Sequence, residues 1–389
     1  MVANSEQGIL FDLTEFFERP HRTGIQRVCL HIVTNWKGMY PLIPIRVRDD
    51  GSADRLPSDV YRALVDFFAA PADELDVRRD ALRRLAARPA AHLSMRAIAR
   101  YRALLNAELF FCPDRIGFYE RLLETLPDRI FMVIYDFLPW LRPEFFVQGS
   151  SLQGAAFVRL VRKAQHASFI SEATRRDYLT RILRKQRSTG PVLSLGSDSF
   201  GFAEPRCTPG PAQFAVVGTL EPRKNHRAVL DAFESLWNDG YEASLVFIGK
   251  LGGTLSPQDR QRVERLAVTE PRFQWRVELD DHQVKEIIRE SRSTIFASLA
   301  EGFGLPPLES LALGVPAIVS DSLPSVAMID PLGQIRLRDA TAPAIKQAVL
   351  KMLDDGFARQ KAAEIRRLRL PTWTGMVREI QEWMEHELR

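Results

Sequence analysis

The chain has 389 residues, of which 46% are hydrophobic and 26% charged, with a net charge of +4. That length exceeds one ordinary core and suits two lobes with a cleft between them, while the composition excludes a disordered or fibrous chain. Cys29, Cys112 and Cys207 are too few and too scattered for a disulfide framework or a zinc site and read as reduced, mostly buried thiols. No basic-then-apolar leader opens the sequence and no apolar run approaches the roughly 18 residues a bilayer span needs, which points to a cytoplasmic protein.

Short runs of Val, Ile and Phe alternate with helical patterns, the order of parallel sheets covered on both faces. The expected fold class is α/β, with two Rossmann-like, doubly wound lobes: residues 1–196, then 197–370, with 371–389 as a final helix. In the first lobe the strand candidates are residues 8–13 (GILFDL), 109–113 (LFFCP), 131–137 (FMVIYDF) and 167–171 (ASFIS). Residues 25–36 and 171–184 have helical spacing.

The Ala- and Arg-rich stretch at about 50–105 lacks a strand pattern and reads as a helical insertion. Within it, eight arginines between Arg78 and Arg102 face one acid, Asp80. A second basic stretch, 175–187, interleaves with Tyr178, Leu179, Ile182 and Leu183, so that helix has an apolar and a basic face. Such patches favour anionic partners. Two readings follow: a solvated helix packed on its own lobe, ranked first, and a face turned to an anionic membrane or a lipid diphosphate. Residues 195–211, rich in Gly, Ser and Pro without apolar periodicity, mark the linker.

The second lobe is the clearer. FAVVGT (214–219), ASLVFIGK (243–250), FQWRVE (273–278), STIFAS (293–298) and PAIVSD (316–321) are strands at regular intervals. After the first of them, Gly218 and Thr219 open a loop carrying Arg223 and Lys224 at the C-terminal end of a strand, where α/β sheets place ligands. Two fixed cations there suit a diphosphate and the charge that develops when it leaves. After STIFAS comes EGFGLPPLE: Glu301, then Gly302 and Gly304 for close backbone approach, then a helix start at Pro306 or Pro307, which puts Glu309 in the first turn. Free amides at that start attract phosphate, and two carboxylates can accept bonds from sugar hydroxyls. Each acid alone has a plainer explanation, a surface loop for Glu301 and a favourable helix-start charge for Glu309; the ordered set is what points to a site. The final segment places Trp373, Met376, Val377, Ile380, Trp383, Met384 and Leu388 at helical spacing, a face that must bury.

EGFGLPPLE resembles the Glu-x7-Glu signature of the retaining glycosyltransferases of family four, which have the GT-B fold of two lobes facing a cleft, and VGTLEPRKN (217–225) resembles their phosphate loop. The likeness covers nearly the whole second lobe. In the first it is thinner, resting on FDLTEFF (11–17), RTGIQRV (22–28) and VIYDFLPWLRPEFF (133–146), the last resembling the acceptor-facing segment. The resemblance implies that Glu301 binds hydroxyls of the transferred sugar, that Phe303, Gly304 and Leu305 offer amides, and that Glu309 holds the ribose. It further implies that Arg223 and Lys224 bind the diphosphate with help from Gly24, that Arg276 and Val277 lie near the base, and that the last helix crosses back to the first lobe. Two departures stand out: Thr219 where many members have Arg, and Tyr135 before Asp136 where many have His. Asp136 remains an acceptor-side candidate, although an aspartate after a strand is also an ordinary cap.

The implied reaction is metal-independent transfer with retention, from a nucleotide-sugar substrate, GDP-mannose ranking ahead of UDP-sugars, to a glycan or lipid-linked oligosaccharide in surface polysaccharide synthesis. No cofactor is expected. The acid pairs Asp49-Asp50, Asp280-Asp281 and Asp354-Asp355 lack a strand-end setting and read as solvated loops. The rival readings are a sugar-nucleotide epimerase of related shape and an inactive nucleotide- or glycan-binding module. No basic and aromatic interleaving suggests nucleic acid.

Overall fold

The computed structural model describes residues 7–147, 149–205 and 212–389; the last six residues of the linker, 206–211, with Cys207 among them, fall outside these. The described chain forms two compact units. One takes in Met1–Leu141, Gly149–Gly196 and Thr372–Arg389, the other Arg142–Gln148 and Ser197–Pro371.

Among the described residues the first lobe is built on seven strands: β1 (Ile9–Asp12), β2 (Leu42–Val47), β3 (Ala53–Arg55), β4 (Ala91–Leu93), β5 (Ala103–Asn106), β6 (Ile130–Ile134) and β7 (His166–Phe169). They lie in the order β4-β3-β2-β1-β5-β6-β7. From β2 to β7 neighbours run parallel, with Ile9 opposite both Leu42 and Ala103, whereas β3 and β4 are antiparallel additions at one edge. The 50–105 stretch is therefore not purely helical. It holds helices Val60–Ala69 and Leu75–Ala86, yet two three-residue strands extend the sheet, anchored by Asp54, fully buried and 3.3 Å from Arg48.

Residues 109–113 are not a strand either. The strand is Ala103–Asn106, one segment earlier, and Pro113 begins the helix Pro113–Thr125, where a missing N–H costs nothing. Arg78 pairs with Glu74 at 2.8 Å and Arg83 with Asp80 at 3.5 Å, so acids a turn earlier neutralise part of the basic run. The second basic helix, Glu172–Asp177, widens into a π turn over Tyr178–Ile182. Tyr178, Ile182 and Leu183 lie inside the lobe's core, so this apolar face packs on its own lobe. Of the cysteines, Cys29 is buried but Cys112 is exposed.

The helix Trp373–Glu387 completes this lobe. Trp373 stacks on His31 with ring centroids 4.3 Å apart, and Trp383 meets Phe131 edge-on. Every apolar position read from the spacing between Trp373 and Met384 is buried.

Among the described residues the second lobe has six strands: β8 (Gln213–Val217), β9 (Ser244–Ile248), β10 (Phe273–Arg276), β11 (Ser293–Phe296), β12 (Ala317–Ser320) and β13 (Gln334–Leu337). All pairs are parallel, in the order β10-β9-β8-β11-β12-β13. Val229, Leu230, Phe233 and Leu236 of the helix His226–Asn238 bury against Phe214, Phe247 and Ile295. Asp280 and Asp354 each cap a helix, Asp281–Glu290 and Asp355–Ile365, and Asp280 closes a capping box with Gln283. These acid pairs are thus helix starts, not loops. Among the described residues no helix is long and apolar enough to cross a membrane.

Candidate functional site

In the second sheet successive strands run outward from β8 through β9 to β10, then in the other direction from β11 through β12 to β13. Strand order reverses between β8 and β11. Loops leaving neighbouring strands at such a reversal part to opposite faces and leave a crevice at the strands' C-terminal ends. The loop after β8 carries Arg223 and Lys224, and the loop after β11 carries Glu301.

The three side chains meet there. Arg223 Nη1 donates to Glu301 Oε2 at 2.7 Å and Lys224 Nζ lies 2.5 Å from Glu301 Oε1, so each carboxylate oxygen has its own cation. Only 9% of the Glu301 side chain is exposed. Burial pushes its carboxyl up, but Lys224 and Arg223 outweigh that, joined by hydrogen bonds from Lys224 and Ser298, and hold it below its ordinary value. Arg223 Nε is also held by Glu221, 2.8 Å away.

Backbone geometry fixes these positions. Pro222–Lys224 forms a short 3-10 turn, ended by Asn225 at φ 60°, whose side-chain amide donates to the carbonyls of Ala297 and Ala340. The Leu299 N–H donates to the Arg223 carbonyl at 2.7 Å, joining the two loops directly. Gly218 has φ +138°, a conformation that side chains disfavour, and a Cβ on Gly249 would lie 2.2 Å from the Gly218 carbonyl oxygen. A side chain is thus excluded at Gly249, where the two loops touch.

Gly304, φ 90°, precedes the helix Leu305–Ala312, and a Cβ on it would stand 3.8 Å from Glu301 Cγ. Because the helix begins at Leu305, Glu309 is its fifth residue, beyond the first turn in which its charge would act as a helix-start acid; it is 7% exposed. Phe303 is buried and its carbonyl accepts from the Ser325 N–H at 3.0 Å.

Residues 202–369 match the family model described as glycosyl transferases group 1. That match takes in most of the second lobe and less than half of the chain. Among curated relatives, the chain is 30% identical over 210 residues to the serotype-specific mannosyltransferase WbdA of Escherichia coli, spanning 49% of this chain and 25% of that protein. It is 34% identical over 115 residues to the O-antigen chain mannosyltransferase B of Escherichia coli, covering 28% of this chain and 29% of the other. The chain thus spans about a quarter of the length of these mannosyltransferases. Among solved structures, a glycosyltransferase from Rickettsia africae superposes with a TM-score of 0.63 over 98% of this chain and 99% of the other, at 14% identity. HepE of Anabaena, solved with UDP and glucose, gives 0.57 over the same shares, also at 14% identity. The fold is that of the GT-B glycosyltransferases.

In the second lobe Gly218, Arg223, Lys224, Glu301 and Gly304 form one cluster, with Thr219 next along the loop. Arg276 and Val277 stand at the end of β10, two strands from β8; Val277 is exposed and the Arg276 guanidinium rests on Gln274. A cavity of about 330 Å³ beside the Pro222–Lys224 turn is lined by Glu221, Asn225 and His226, not by Lys224 or Glu301. Burial, then the Lys224 charge, holds His226 down to about 3. Gly24 and Asp136 belong to the other lobe: Gly24 opens the helix Gly24–Asn35 behind its Thr23 cap, and Asp136 Oδ1 accepts from the Leu138 N–H at 2.9 Å as a turn cap. Tyr135 is buried and its hydroxyl donates to the Ala107 carbonyl at 2.7 Å, so its only polar group is turned into the lobe.

The first sheet has its own reversal, between β1 and β5, and there the crevice is filled by protein. Asp12 ends β1 and Glu108 follows β5. Arg115 Nη2 donates to Asp12 at 2.8 Å and to Glu108 at 2.6 Å, while Glu108 accepts the N–H groups of Glu15 and Phe16 at the start of the helix Thr14–Glu18. All three charged groups are buried. A carboxylate of the chain occupies the helix start that an anionic ligand would use.

Sequence reasoning missed Glu221, Ser298, Asn225 and Ser325. Glu221 was signalled by its place two residues before Arg223 in EPRK. Asn225 had the one side chain in that loop suited to a left-handed turn. Ser325, whose buried Oγ has no partner among the described residues, gave no signal, since only the fold brings it to Gly304.

Proposed function

We propose that the chain is a retaining, metal-independent glycosyltransferase that moves a sugar from a nucleotide-sugar donor, GDP-mannose ranking first, to a glycan or lipid-linked oligosaccharide in surface polysaccharide synthesis. The observation that carries this reading is the meeting of Arg223, Lys224 and Glu301 at the strand reversal of a lobe that matches the group 1 family. The mannosyltransferase relatives favour mannose over other sugars. Arg223 and Lys224 supply the positive charge that a divalent ion would otherwise bring to a leaving diphosphate. The bond from the sugar's anomeric carbon to the phosphate oxygen breaks and the acceptor hydroxyl oxygen bonds to that carbon on the same face. Its proton passes to an oxygen of the departing diphosphate, and no enzymic base is required. Glu301 accepts bonds from sugar hydroxyls, the amides at Phe303 to Leu305 face the donor, Glu309 holds the ribose, and Arg276 and Val277 border the base. Gly24 assists the diphosphate and Asp136 the acceptor.

The reading includes a peripheral contact with anionic membrane on the cytoplasmic side through exposed arginines such as Arg84 and Arg88. Weaker binding of the Arg84→Gln/Arg88→Gln chain to vesicles containing phosphatidylglycerol is expected; unchanged binding counts against this contact. The activity is tested by incubating the full chain with labelled GDP-mannose and UDP-sugars and a lipid-linked acceptor, with and without chelator. A labelled glycan with the donor's anomeric configuration, formed in chelator, is the expected product. Epimerised donor without transfer, an inverted linkage, or loss of all transfer with chelator would each refute the matching part.

A further inference from the structure

The two cations assigned to the diphosphate both point at a carboxylate of the chain itself. Glu301 is nearly enclosed, and its oxygens are divided between Arg223 at 2.7 Å and Lys224 at 2.5 Å. A carboxylate with one oxygen on each of two cations imitates the geometry of a phosphate group taking one oxygen to each. Arg223, Lys224 and Ser298 together take up about three of the four lone-pair positions of the Glu301 carboxylate, leaving little of it for sugar hydroxyls.

Building on the transferase reading, we propose that Glu301 is the resident counter-ion of the site whenever no donor is bound, and that the donor's diphosphate displaces it from Arg223 and Lys224. The displaced carboxylate is thereby released to receive the donor sugar's hydroxyls, so sugar recognition follows diphosphate arrival. The exchange conserves charge pairing: before it, the cations are neutralised from within; after it, by the ligand. Neither state leaves a cation buried and bare, which would be costly. Arg223 keeps a second tether throughout, since Glu221 holds its Nε at 2.8 Å, so the guanidinium stays in place while its partner changes. Lys224 stays because the Asn225-anchored turn fixes its backbone.

An internal competitor weakens the affinity for the anion it mimics. The test is calorimetric titration of the full chain with inorganic pyrophosphate, and with GDP and UDP, in metal-free buffer. Wild type is compared with Glu301→Gln, which keeps the shape and removes the charge, and with Glu221→Gln, which removes a charge touching Arg223 alone. Pyrophosphate binding about tenfold tighter in Glu301→Gln is expected, the competing pair being close and mostly buried, with a clearly smaller gain in Glu221→Gln. Transfer should fall in Glu301→Gln even though the diphosphate binds better. Equal gains in the two variants would reduce the effect to net charge and overturn the exchange. Unchanged or weaker binding in Glu301→Gln, with wild type still binding, would overturn the exchange while leaving the donor site standing. Failure of every protein to bind pyrophosphate or nucleoside diphosphate would remove the donor site and the exchange together.

Discussion

Replacing Arg115 by Met tests the buried network at the first lobe's strand reversal. The guanidinium is the single cation between two carboxylates, 2.8 Å from Asp12 and 2.6 Å from Glu108, and Tyr119 and Thr14 complete the shell around Asp12. Methionine fills much of the same volume but leaves both acids without a counter-charge. Breaking a buried pair in this way costs about 3 to 5 kcal/mol. The cost must depend on pH. Burial, opposed by Arg115 and by the amides of Glu15 and Phe16, already pushes Glu108 up to about 7. A carboxyl raised above its unfolded value leaves stability intact at low pH and drains it as pH rises toward the folded pKa. Losing Arg115 moves that folded pKa higher and extends the drain above 7 by roughly 1 kcal/mol for each pH unit. Urea unfolding at pH 6 and pH 8, followed by hydrogen exchange of β1 amides, should therefore show a larger deficit at pH 8. The double variant Arg115→Met/Glu108→Gln should recover much of it. A deficit under about 1 kcal/mol, equal at both pH values, would refute the claim that these charges depend on one another.

Other perturbations probe separate parts of the chain. Lys224→Ala should lower kcat in the transfer assay by roughly 100- to 1,000-fold while circular dichroism stays native; a near-normal rate would remove Lys224 from the reaction. His31 and His226 are both held down to about 3, burial being the main cause in each. Below the free value of about 6.5 the unfolded chain takes up protons that the folded one refuses, so stability falls as pH drops, by roughly 1 kcal/mol per unit and per histidine. His226→Phe, placed beside Phe247, should make unfolding of the second lobe less acid-sensitive between pH 6 and 4, and an unchanged acid profile would count against it. Gly249→Ala, forcing a Cβ to 2.2 Å from the Gly218 carbonyl oxygen, should cost roughly 3 kcal/mol or fail to fold; a wild-type melting temperature would show that the two loops are free to part.

Much of the second lobe could be read from residue order because its central strands are unbroken apolar runs. Its edge strand β13 was missed: Gln-Ile-Arg-Leu offers only two apolar residues, and its two middle positions are half-buried. In the first lobe Pro44 hid β2, since proline speaks against an interior strand, although the carbonyl of Pro44 still accepts from Leu56. Phe110 and Phe111 drew attention to the wrong segment. Arg223, Lys224 and Glu301 were legible singly, from chemistry and placement, but not as a bonded trio, because 77 or more residues separate Glu301 from the cations. Asp12 and Arg115, 103 positions apart, were illegible for the same reason, and Glu108, though only seven positions before Arg115, carries no local sign of the pair.

The first lobe is discontinuous in the chain, and its last piece is residues 372–389. Trp373 sits fully buried against His31 and Gly196, and Glu379 accepts the Ser194 N–H. During synthesis the ribosome therefore releases a first lobe lacking one wall, translates all of the second, and only then delivers the helix that closes the earlier one. The second lobe, nearly continuous from Ser197 to Pro371, can mature while its predecessor waits. A chain truncated after residue 371 should show protease resistance in the later-made half and sensitivity in the earlier-made half, reversing the usual vectorial order.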